Sequence, residues 1–149
     1  MGYTLDAFVA ELRCPRCQHV SSANEATGMY TRIRSDPQLA WLGVGSALEI
    51  DLATVPDAGY FPVQPPGGDT IRILQIWSCP NCGAYPNWAE IVVRDGRIES
   101  ITAVPLDRET LNRLHFIDED VYLVASVLGD RRYPDITHDQ VVPLLRQLL

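Results

Sequence analysis

The sequence predicts an α+β fold, a β-rich body followed by helices, on three observations. Residues 71–78, IRILQIWS, are apolar on both faces, which is the pattern of a central strand. WAEIVVRDGRIESITAV straddles Asp95-Gly96, and Asp-Gly supplies the positive φ angles of a tight hairpin turn. Beyond residue 104, apolar side chains recur three and four apart, as on the buried face of a helix. The expected organisation is a β body over 1–104 and a helical segment over 105–149 packed on it.

Each element has its own justification. YTLDAFVAELR (3–13) satisfies two periods: Leu5, Phe8, Val9 and Leu12 at helical spacing, Phe8, Ala10 and Leu12 in alternation. A strand is the preferred reading, with a helical turn at its front left open. MYTRIR (29–34) carries a weak strand signal. ALEIDL (47–52) alternates, with Leu48, Ile50 and Leu52 on one face and Glu49 and Asp51 on the other, which predicts a half-buried strand. ATVPDAGYFPVQPPGGDT (53–70) holds four prolines and three glycines, so it reads as a loop. Tyr60 and Phe61 within it are expected to fold back onto the core, with a partner contact as the alternative.

In the last third, Asp107 is the expected N-cap of a helix carrying Leu111 and Leu114. DEDVYLVASVLG (118–129) starts with three acids and places Val121, Val124, Ala125 and Leu128 on one stripe before Gly129. A helix is expected there, with a strand as the alternative. Val141, Leu144, Leu145 and Leu148 form a further helical stripe. Asp139 as N-cap would place Pro143 in the first turn, where a missing N–H costs nothing.

Length and charge bound the function. A chain of 149 residues with 46% hydrophobic content can bury a true core. The formal charge is −7, and every fixed side-chain cation is arginine. An acidic domain repels phosphate backbones, so nucleic acid is an unfavoured partner, whereas a basic protein partner suits the charge. MGYTLDAFVAEL lacks the basic flank and apolar run of a secretory signal. No apolar stretch approaches the roughly 20 residues that span a bilayer. A cytoplasmic location without membrane attachment is therefore expected, where thiols stay reduced.

The chemistry lies in the cysteines. There are four, Cys14, Cys17, Cys79 and Cys82, arranged as two Cys-Pro-x-Cys pairs with none left over. In a metal knuckle this spacing lets a sharp turn converge two sulfurs on one ion while backbone N–H groups point at the thiolates. Proline fixes φ in the turn, and a glycine such as Gly83 accepts the left-handed conformation after it. Two knuckles supply four thiolates at about 2.3 Å, a closed tetrahedral zinc site. All four cysteines are the candidate ligands, with structural Zn²⁺ as cofactor.

LRCPRCQH and WSCPNCGAY resemble the two knuckles of a zinc ribbon, a family of small β domains in which each knuckle caps a strand end. The resemblance implies that Cys14, Cys17, Cys79 and Cys82 are the ligands and that strand 71–78 with hairpin 86–104 forms an antiparallel ribbon sheet. Two features depart from it. Gln18 stands where a glycine is expected, and 61 residues between Cys17 and Cys79 must form a β insertion.

Other uses of the thiols are distinguishable. CPRC alone resembles the glutaredoxin motif, which needs a helix starting at the motif; QHVSSANEATG has poor helical character, and the second pair is then unexplained. Iron in a rubredoxin-like site uses the same four thiolates, with Trp77, Tyr85 and Trp88 as surrounding aromatics. A catalytic zinc needs an open position, which four thiolates leave no room for, so His19 is read as a surface or supporting residue. Glu90 and Glu99 read as solvated faces of strands, and His115 and His138 as isolated residues at helix ends. No catalytic residue is assigned. The expected function is non-enzymatic: a zinc-binding protein-protein interaction module, of inhibitor or immunity type in one version. A nucleic-acid-binding ribbon is the further alternative, with Arg13, Arg16, Arg32 and Arg34 as its patch.

Overall fold

The computed structural model describes residues 6–34, 40–128 and 136–149. Among the described residues, eight strands fall into two sheets. β1 (Asp6–Phe8), β2 (Tyr30–Thr31) and β3 (Trp41–Leu42) form a small sheet in the order β2-β1-β3. β4 (Tyr60–Pro62), β5 (Thr70–Trp77), β6 (Asn87–Arg94), β7 (Arg97–Val104) and β8 (Phe116–Asp118) form a second, in the order β4-β8-β5-β6-β7. Among the described residues, three α-helices follow β7: α1 (Arg108–Arg113), α2 (Val121–Leu128) and α3 (Val141–Leu148), with β8 between α1 and α2. The class is α+β, as expected. None of the described helices is long and apolar enough to cross a membrane.

The sheets are mixed rather than antiparallel throughout. β1 pairs parallel with β3, and β5 pairs parallel with β8. The second pairing has a plain cause: the chain leaves β7, turns through α1 and returns beside β5. The segment after residue 104 is thus not helical alone, because its Phe116–Asp118 strand completes the larger sheet between β4 and β5.

β5 sits in the middle of that sheet, and both its faces are covered. Ile73 and Trp77 point into one core with Phe8, Leu12, Met29, Leu42, Ile91 and Ile98. Leu74 points into the other, with Leu111, Leu114, Ile117, Val121, Val141 and Leu145. Burial on two faces explains why IRILQIW shows no alternation. The hairpin forms at Asp95 (φ 52°) and Gly96 (φ 72°), the paired positive angles that the Asp-Gly dipeptide favours. One extra residue on β7 shifts the register between Val92/Ser100 and Val93/Ile98, leaving Glu99 as a bulge.

Helix starts follow side-chain chemistry. The Asp107 carboxylate accepts from the Thr110 N–H at 2.8 Å and caps α1 as expected. The N-cap position of the third helix is held by Gln140 instead of Asp139. Thr137 and Gln140 make a reciprocal capping box over a 3₁₀ turn at His138–Gln140 that runs into α3, so Pro143 falls in the first α-turn. Val121–Leu128 is a helix, not a strand; Gly129, its expected stop, lies outside the described residues.

ALEIDL does not form the expected strand. Ala47 makes one isolated bridge to Arg97, Leu48 is buried, and Leu52 is 46% exposed. Among the described residues, the alternating stretch bridges only to Arg97 at the start of β7. The loop that follows contains structure of its own, a 3₁₀ turn at Pro56–Ala58 and β4. Tyr60 is buried, and its hydroxyl lies 2.5 Å from Thr31 Oγ1 and also meets the Gln75 carboxamide. It thereby ties the two sheets together.

Candidate metal centre

The two cysteine pairs, 61 residues apart in sequence, come together in space. The first follows β1 and the second follows β5. Both pairs fold into the same turn. Gln18 N–H donates to Cys14 O at 3.0 Å and Gly83 N–H to Cys79 O at 2.9 Å. Cys14 N–H donates to His19 O and Cys79 N–H to Ala84 O, at 2.8 and 3.0 Å. Gly83 has φ 75°, and Gln18 occupies the equivalent place at φ 66°. The turn survives the missing glycine because the rest of its hydrogen bonding is intact.

Sulfur meets sulfur across the pairs. Cys14 Sγ lies 3.7 Å from Cys82 Sγ, and Cys17 Sγ lies 3.6 Å from Cys79 Sγ. All four ligand atoms lie within 4.8 Å of one another. Disulfides have sulfurs about 2.05 Å apart, and all four cysteines are free. A tetrahedron with metal–sulfur bonds of about 2.3 Å has edges of about 3.8 Å. The cluster is therefore compatible with a metal site, and its donors are those of a thiophilic ion.

The surroundings favour thiolates without being able to accommodate four unaided. Arg16 N–H points at Cys14 Sγ from 3.4 Å, and Asn81 N–H and Cys82 N–H point at Cys79 Sγ from 3.4 and 3.5 Å. The Asn81 carboxamide reaches Cys17 Sγ at 3.6 Å. The His19 N–H, followed by that carboxamide, lowers the Cys17 thiol to about 6. Cys14 is lowered chiefly by the Cys17 N–H. Cys82 is held at about 11: the Ala84 N–H favours its thiolate, but desolvation and the sulfurs of Cys17, Cys14 and Cys79 outweigh it. Adjacent thiolates repel, and a bound cation relieves that repulsion. Cys14 and Cys79 are buried, whereas Cys82 is exposed, so the cluster sits at the surface of the first core.

The remaining sequence candidates have distinct fates. His19 Nε2 lies 3.2 Å from Glu25 Oε2, and Glu25 also accepts from Ser22 N–H at 2.8 Å, so His19 fastens the loop behind the first knuckle. Glu90 is not a solvated residue. It is 4% exposed, with Arg72 Nη1 at 3.0 Å from Oε2 and Arg113 Nη2 at 2.9 Å from Oε1. Alternation placed Glu90 on the face that α1 covers, and Arg113 of α1 neutralises it there. Glu99 is exposed, 3.6 Å from Arg94. His115 Nδ1 accepts from Arg72 N–H at 2.9 Å, and burial followed by the Arg72 charge lowers its pKa. His138 packs edge-on against Phe61 and Tyr122, each at 5.2 Å between ring centroids.

Three of the arginines suggested as a nucleic-acid patch have protein partners or surroundings of their own. Arg34 makes a two-pronged pair with Asp6, at 2.8 and 3.0 Å. Arg13 donates to Gln18 O at 3.4 Å. Arg32 lines a cleft of about 280 Å³ whose other charged residues are Asp57, Asp118, Glu119 and Asp120. Sequence reading missed that cleft because its acids come from two distant segments. In sequence, residues 118–120 carry only the signal of a helix start. Burial, reinforced by Asp120 and Glu119, pushes Asp118 up to about 7 against the pull of the Asp120 N–H.

Comparison with protein-family models, curated proteins and solved structures gave no match to this chain.

Proposed function

We propose that Cys14, Cys17, Cys79 and Cys82 bind one Zn²⁺ as a closed structural site of zinc-ribbon type. On this reading the protein is a non-enzymatic interaction module of the cytoplasm that engages another protein. The observation that supports it is the sulfur quartet: cross-pair separations of 3.6 and 3.7 Å lie close to the edge of a tetrahedral tetrathiolate. Four thiolates complete the coordination of zinc and leave no position for substrate. Bound there, the ion would supply folding energy and fasten the chain after β1 to the chain after β5. The acidic charge of −7 favours a basic partner, in the manner of an inhibitor or immunity protein.

Elemental analysis of the purified protein tests the metal, with one zinc per chain as the expected result. A coloured preparation with one iron per chain would establish the rubredoxin-like alternative instead. The interaction role is tested separately by affinity capture from the native host. A stoichiometric basic protein is expected, and recovery of no partner at native expression counts against the module reading.

A further inference from the structure

The outer edge of β7 has no further strand of the sheet beside it among the described residues. β7 ends the larger sheet, with β6 on one side. Its beginning is covered: Ile98 N–H donates to Ser46 O at 2.9 Å, and Ile98 O accepts from Gly45 N–H at 2.8 Å. That contact shows which backbone groups face outward. In an antiparallel ladder, alternate residues turn their N–H and C=O to the same side. On β6, Arg94, Val92, Glu90 and Trp88 face β7, so their partners Thr102 and Val104 point inward. Ile101 and Ala103 then point outward, the bulge at Glu99 having shifted the parity. Neither has a backbone hydrogen-bond partner on that side among the described residues.

The sequence of this free stretch is Ser100-Ile101-Thr102-Ala103-Val104, uncharged and rich in β-branched residues. Long, flat, neutral edges invite strand addition, and proteins usually block them with charge, proline or a bulge. Here the bulge at Glu99 and the proline at 105 bracket the stretch without entering it. They fix a window of pairing instead of closing it.

We infer that the occupant of this edge is β7 of a second copy of the chain, paired antiparallel about a twofold axis at Thr102. The window is self-complementary in this register. Ile101 faces Ala103 of the second copy and Ala103 faces Ile101, so two outward pairs exchange both of their hydrogen bonds. Thr102 meets its own counterpart at the close, non-hydrogen-bonded position, where threonine pairs are favourable. Centring the pairing on Ala103 would set Ile101 against Pro105, which has no N–H to give. Centring it on Ile101 would engage the bulge. In the Thr102 register, the two Glu99 residues stand six residues apart along the pair, about 20 Å at strand rise. That is beyond the screening length of about 8 Å at physiological salt. The product is one continuous ten-stranded sheet, twice the five strands of one copy.

Sedimentation equilibrium of the metal-loaded full chain tests this, at protein concentrations from micromolar to several hundred micromolar. A monomer–dimer equilibrium is expected. It should tighten several-fold between about 0.01 and 0.15 M salt, because each copy carries −7 and screening relieves the repulsion. Ala103→Pro removes an outward donor and leaves the β6 ladder untouched, and Thr102→Lys sets two ammonium groups against each other on the axis. Each is expected to weaken association at least tenfold. A parent that stays monomeric throughout, or a dimer that withstands both substitutions, overturns the inference. Should either variant fold poorly, amide exchange of the parent decides: protection of Ile101 and Ala103 must rise with protein concentration, and concentration-independent exchange at both positions overturns it.

Discussion

Gln18 and Gly83 occupy the same place in the two knuckles, at φ 66° and 75°, yet only one of them is suited to it. The left-handed conformation costs a residue with a Cβ about 1–2 kcal/mol, whereas glycine adopts it freely. Gly83→Ala is therefore expected to lower stability by about 1–2 kcal/mol. Gln18→Gly should not lose stability, because relief of that strain matches or exceeds the roughly 0.5–1 kcal/mol of added chain entropy in the unfolded state. Urea denaturation of the two metal-loaded variants checks this, and equal losses would refute it. Asp118 presents the other single-residue cost. Its carboxyl, pushed up from 3.8 to about 7 chiefly by burial, keeps a proton in the fold that the unfolded chain has already lost. Unfolded chains then bind fewer protons than folded ones between about pH 4 and 7, so this group's contribution falls as pH rises through that window. Asp118→Asn should consequently gain on the parent from pH 5 to pH 8 at saturating metal, its side-chain oxygen still accepting from Asp120 N–H. Parallel stability curves for the two proteins would sink the argument.

Elements show where sequence patterns sufficed. β5 and the β6–β7 hairpin were legible because their signals are local: an unbroken apolar run and an Asp-Gly turn. The start of α1 was legible because Asp107 caps it within one turn. ALEIDL had the right alternation but only one bridging partner, and β8 is three residues long, too short to carry any periodicity. Glu90 illustrates the same limit. Its place on a strand follows from the Asp-Gly hairpin, but only the return of α1 over the sheet determines that its face is buried. The carboxylate joins Arg72 of β5 to Arg113 of α1, so it clamps a helix to a strand pair. Removing one partner of a fully buried ion pair costs about 3–5 kcal/mol. Both arginine side chains are about a third exposed, at 33% and 35%, and solvent screening reduces the figure to about 1–2 kcal/mol. Glu90→Gln should lose that much in a denaturant titration. Amide exchange should show α1 opening before β6 does, and a loss spread evenly over the chain would mean that the clamp is not local.

At the scale of the whole molecule, the two cores differ in their relation to the cysteines. Cys14, Cys79 and Ala84 belong to the core shared by the small sheet and one face of the larger one, with Cys17 packed against it. The core beneath the helices contains no cysteine. The sequence disclosed the four thiols and their convergence, but not this asymmetry, which depends on β5 dividing its side chains between two faces. On the proposed reading, metal replaces what short strands cannot supply: β1, β2 and β3 have three, two and two residues, far too few to hold a sheet alone. Binding free energy at a structural zinc site, about 10–16 kcal/mol in small peptides at neutral pH, becomes folding free energy when the unfolded chain has no preformed site. Chelation should therefore not unfold the chain uniformly. Protection should be lost first in the knuckles and the small sheet (residues 6–34, 40–42 and 78–86), while β6, α2 and α3 keep theirs. Cys79→Ser, which removes a buried ligand, should reproduce that pattern without chelator and lower the melting temperature. Exchange followed by mass spectrometry resolves the two regions. A variant that melts with the parent, or a chelated protein that exchanges uniformly, would show that the sulfur cluster does not support this half of the fold.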